Sequence, residues 1–87
     1  MRPSDIYRHP LERSRSAPDR LIDDVIERYV DWRETAVAAG VAYAAWAQAP
    51  AAEAARLFAA YGAALDQEEG AAQLYRLAIE RLARQSA

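Results

Sequence analysis

Tyr29-Val30-Asp31-Trp32 and Tyr43-Ala44-Ala45-Trp46 carry the same Tyr-x-x-Trp step, repeated at a spacing of fourteen residues. Fourteen residues is two heptads, so in a continuous helix all four rings fall on one stripe, equivalent to positions a and d of a seven-residue repeat. Ile22, Val25, Ile26, Ala36 and Ala39 carry the stripe on at steps of three and four, the period of a helix and not of a strand. A stripe of this size is unstable in water, so the helix must pack against something.

The flanks say where that helix begins and stops. Ser16 and Asp19 have the spacing of a capping box, with Asp in place of the usual Glu, and Pro18 suits the first turn. Asp19, Asp23 and Asp24 suit the positive end of the helix dipole. These signals predict a first helix over 17–48, about 45 Å long at 1.5 Å per residue. Ala49-Pro50-Ala51 is the only break in the second half of the chain, and proline fits a helix start but not a helix interior. A turn at 49–51 and a second helix over 52–84 follow, with Leu57, Phe58, Tyr61, Leu65, Glu68, Ala72, Tyr75, Ile79 and Leu82 as its seam. Arg81 and Arg84 suit its negative end. A short connection makes the two helices antiparallel neighbours. The fold class is therefore all-α, a long antiparallel helical hairpin over 16–87, preceded by a flexible or loosely docked N-terminal arm over 1–15. That arm mixes prolines, serines and four arginines without periodicity, with Ile6, Tyr7 and Leu11 as its apolar anchors.

Composition agrees. The chain has 87 residues, enough for one domain near the lower limit of a self-sufficient core. Alanine supplies 22 of them and all 11 basic residues are arginine, a bias that points to helix and to a GC-rich coding sequence more than to chemistry. A net charge of −2 gives no case for nucleic acid. With no cysteine, disulfides, thiol catalysis and thiolate metal sites are excluded. Thr35 to Ala52 is uncharged, but alanine adds almost nothing to membrane insertion and Gln48 and Pro50 interrupt the run, so no membrane span is expected. No apolar segment follows the N-terminal arginines, which makes a cytoplasmic location the default.

Charge is unevenly spread along the hairpin. Between 35 and 65 only Glu53 and Arg56 are charged, both close to the turn. The turn-proximal half thus lacks a charged face, and such a helix is normally buried on more than one side. Dimerisation of two hairpins into a four-helix bundle satisfies this most simply. Tyr29, Trp32, Tyr43, Trp46, Phe58 and Tyr61 are the expected packing residues, filling spaces between alanine-lined backbones. Gly40 and Gly62 are either points of close approach or tolerated defects, each costing about 1 kcal/mol relative to alanine. With the turn near residue 50, Glu68 falls across from Trp32 and Arg33. Arg33 and Glu68 are accordingly the expected polar pair, setting register more than adding stability.

Chemistry finds little purchase. Acids are present at Glu27, Asp31, Glu34, Asp66, Glu68 and Glu69, but the Glu-x-x-His pair of di-iron bundles is absent and the one histidine, His9, lies in the arm. Asp24/Arg28 and Arg76/Glu80 read as ordinary i,i+4 pairs. The serines at 4, 14, 16 and 86 have no base beside them, and no Gly-rich phosphate loop exists. No catalytic, metal-binding or cofactor-binding residue is assigned. Arg13-Ser14-Arg15-Ser16-Ala17-Pro18 matches a phosphoserine-adaptor pattern, although Ser16 already has a capping role. The architecture is similar to that of small secreted two-helix hairpins with a Trp-x-Gly turn. Gln48 stands where their glycine would be and no Tyr-x-x-x-Asp motif follows, so the likeness stops at architecture. The expected function is a small non-enzymatic assembly protein that self-associates through its aromatic, alanine-rich face, as a homodimer. The alternatives are an adaptor docking its uncharged half onto a larger protein, and a small bundle enzyme or carrier with Glu68 in a central pocket.

Overall fold

The computed structural model describes residues 17–86. The predicted arm and the Ser16 cap lie outside them. Helix α1 spans Ala17–Ala47, a 3-10 turn spans Ala51–Glu53, and helix α2 spans Ala54–Ser86. No strand occurs among the described residues, and α1 and α2 pack on one another as an antiparallel hairpin.

Proline sets the break. Pro50 lacks an N–H and disfavours helical backbone at Ala49. Before it the ladder tightens, with Gln48 N–H donating to the Ala44 carbonyl at 3.3 Å and Ala49 N–H to that of Trp46 at 3.1 Å. Pro50 itself is extended (φ −61°, ψ 153°). Its carbonyl accepts the Glu53 N–H at 2.9 Å, which closes the 3-10 turn. Ala54 is already helical (φ −58°, ψ −43°), so the turn feeds α2 without a kink. Arg56 donates to the Glu53 carboxylate at 2.7 Å across the junction.

The seam between the helices keeps a strict seven-residue repeat. On α1 the inward positions are Val25, Trp32, Ala39 and Trp46, flanked on one side by Arg28, Thr35 and Ala42. On α2 they are Leu57, Ala64, Ala71 and Ala78 alternating with Tyr61, Glu68, Tyr75 and Leu82. The Thr35 hydroxyl donates to the Trp32 carbonyl at 2.8 Å, so this polar group on the seam is satisfied within its own helix. Among the described residues Ala39 and Ala78, 5% and 0% exposed, are the buried hydrophobic ones, and no large side chain is fully buried. The hairpin's own core is one narrow line.

Register differs from the expectation. Trp32 stacks on Tyr75 and Trp46 on Tyr61, so the chain folds back around residues 52–54 and not around residue 50. The 3-10 turn lengthens the connection and slides α2 along α1. Glu68 therefore lies level with Ala36 and Ala39, not across from Trp32 and Arg33. At the open end Asp24 joins the helices. Its carboxylate lies 3.4 Å from Arg28 Nε within α1 and 3.7 Å from Arg81 Nη1 on α2, and Arg28 also approaches Asp31 at 3.9 Å. The Asp24/Arg28 pair is the one read from the spacing. Arg76 and Glu80 form no ion pair among the described residues.

Candidate functional site

Two aromatic clusters repeat along the hairpin with the same geometry. Near the open end, Trp32 stacks on Tyr75 (centroids 5.6 Å, planes 13° apart) and Tyr29 meets both edge-on or tilted, at 6.0 and 5.6 Å. Near the turn, Trp46 stacks on Tyr61 (5.9 Å, 12°) while Tyr43 meets both edge-on, at 6.0 and 5.4 Å. Phe58 adds a fourth ring to the turn cluster, 5.1 Å from Trp46. A seven-residue repeat on each helix brings each Tyr-x-x-Trp step against one tyrosine of α2. All six expected packing residues are thus in the clusters. Tyr75, read as a seam residue only, completes the open-end cluster.

The clusters are not enclosed. Tyr43 is 51% exposed and Phe58 56% exposed, and Tyr29 is also exposed, at 44%. They belong to two seven-residue stripes that border the seam on one side: Ile22, Tyr29, Ala36 and Tyr43 on α1, and Phe58, Leu65, Ala72 and Ile79 on α2. Between the clusters a recess of about 380 Å³ is lined from both stripes, by Ala36, Gly40 and Tyr43 with Leu65, and from the seam by Ala39, Tyr61 and Glu68. That shared lining shows that the two stripes form one face, called the front face below. It runs most of the hairpin's length. The reverse side carries Asp24, Arg28, Asp31 and Arg81 with exposed Leu74 and Leu77 at the open end, and alanines toward the turn. Beyond the front face, Val30, Val37 and Val41 continue the exposed apolar surface around α1.

Glu68 is half-buried at the waist of the front face, where small residues separate the aromatic clusters. Arg33 sits among Tyr29, Val30, Glu34 and Val37 on α1. Among the described residues no hydrogen bond or ion pair reaches either one, so the expected pair is not made within the hairpin. The shifted register separates them along the axis, and Arg33 points outward from the seam. Gly40 and Gly62 are not sites of close approach within the hairpin either: a Cβ added at either meets nothing within 4 Å.

No family model, curated protein or solved structure matches this chain. Its chemistry has to be read from the surface itself. Among the described residues no group of three or more His, Cys, Asp or Glu is placed to hold a metal ion, and no helix is long and apolar enough to cross a membrane. The feature that stands out is the aromatic front face.

Proposed function

We propose that this chain is a small assembly protein whose hairpin closes its front face on a second copy of itself, giving a four-helix bundle. The observation that carries this reading is the contrast between the thin buried seam and the large apolar face beside it. Within the hairpin only two alanines are buried, while Ile22, Ile26, Tyr29, Tyr43, Phe58, Leu65 and Ile79 stay substantially exposed. A single narrow core rarely stabilises a chain of this size by more than about 3–5 kcal/mol. Large apolar side chains are each worth about 1.5–3 kcal/mol when fully buried, so covering this face outweighs the hairpin's own core.

A second copy fits by size. Two helices side by side, about 45 Å long and about 20 Å wide, present roughly 900 Å². That matches the roughly 800 Å² per partner of a standard stable interface. Twofold dimers are also the commonest oligomers, since one self-complementary patch serves both partners. The test is mass in solution, by light scattering on a sizing column over about a hundredfold range of concentration. A mass of two chains supports the bundle. A monomer that binds a hydrophobic dye overturns it and transfers the face to a larger protein, the adaptor reading.

A further inference from the structure

We infer that Arg33 and Glu68 pair across the dimer, each with the other's counterpart on the second copy, and so fix how the two hairpins meet. The inference rests on the self-association proposed above. Closing the front face takes Glu68, already half-buried at the waist, further from water. A buried carboxylate without a partner is costly, so a stable interface must offer it a cation. Glu68 has no partner within the hairpin.

Arg33 is the cation that α1 brings to this face. It lies seven residues before Gly40, which lines the recess beside Glu68, and so has the same angular position on the helix as Gly40. When two hairpins stack face to face with their turns at the same end, α1 of one lies over α2 of the other. Arg33 then faces the partner's second helix six residues, or roughly 9 Å, from the level of Glu68 of the partner subunit. Extended arginine and glutamate side chains reaching toward each other span that offset together. The twofold axis makes the pair twice.

The same charge discriminates against the other packing. With turns at opposite ends, α1 would lie over the partner's α1. Arg33 is one residue from the middle of Ala17–Ala47, so full overlap would bring the two Arg33 side chains together near the axis. Repulsion there selects the same-end bundle. The absence of a Cβ at Gly40 leaves room at the waist for the incoming helix.

Charge exchange tests the pairing. Arg33→Glu alone and Glu68→Arg alone each place like charges opposite one another in a homodimer, and each should dimerise at least about tenfold more weakly than wild type. Mixed in equal amounts, with one chain carrying a mass tag, they should form the heterodimer in clear excess, because both pairs are restored only there. Circular dichroism of each variant checks that the helices persist. Glu69→Arg, the neighbouring acid, should not substitute for Glu68→Arg in the mixture. Variants that dimerise like wild type, or a mixture without heterodimer excess, each overturn the pairing while leaving the bundle standing. A monomeric wild-type chain removes both.

Discussion

Trp32 and Trp46 occupy the same heptad position, and each stacks on a tyrosine of α2. Trp46 also touches Tyr43 and Phe58, so one indole holds three rings together. Trp46→Ala should lower stability by about 3 kcal/mol, the low end for truncating a large aromatic, because the site is only half-buried in the hairpin. A urea melt reads this directly, and an unchanged midpoint would remove Trp46 from the structural core. Which aromatic residues cluster was legible from the Tyr-x-x-Trp spacing. How far each was covered was not. Tyr43 and Trp46 lie three residues apart on one stripe, yet a helix-helix contact is narrower than the stripe and shelters the tryptophan more than the tyrosine. Glu68 stood out in the sequence as an acid on an apolar seam, but its neighbours depended on a register that the spacing of the seam does not fix.

The helices themselves follow from local rules. Alanine, leucine, arginine and glutamate run through both, and Pro50 supplies the single interruption. The 3-10 turn at Ala51–Glu53 is what the sequence concealed. Alanines there are equally compatible with α-helix, and a few residues of tighter winding are enough to move Glu68 by about two turns along α1. The Asp24–Arg81 link between helices depends on the same register. Asp24→Asn should cost about 1 kcal/mol, the scale of a partly exposed ion pair, with the drop in Tm shrinking as salt screens it. Arg81→Gln should have a similar effect, and the double variant should lose less than the sum of the two. Thermal melts at low and high salt test this; full additivity would mean that the two groups do not act on each other.

At the scale of the whole molecule, Leu77 and Ile79 offer a controlled comparison. They flank buried Ala78 on opposite sides and are similarly exposed in the hairpin, 38% and 42%. Ile79 lies on the front face and Leu77 does not. Ile79→Glu should therefore shift the proposed dimer toward monomer at fixed concentration, while Leu77→Glu should leave the mass unchanged. Sizing with light scattering distinguishes the two, and equal responses would detach assembly from the front face. The sequence by itself determined that the chain is helical, that its helix breaks at Pro50, and which residues carry apolar periodicity, because these depend on propensity, proline and spacing within one segment. Only the tertiary structure decided the register, the Asp24–Arg81 link, the separation of Arg33 from Glu68, and the gathering of the uncovered rings on one side. Those depend on how two helices slide and rotate against each other, a degree of freedom that alanine-rich surfaces leave nearly unconstrained until the turn geometry and the stacked rings fix it.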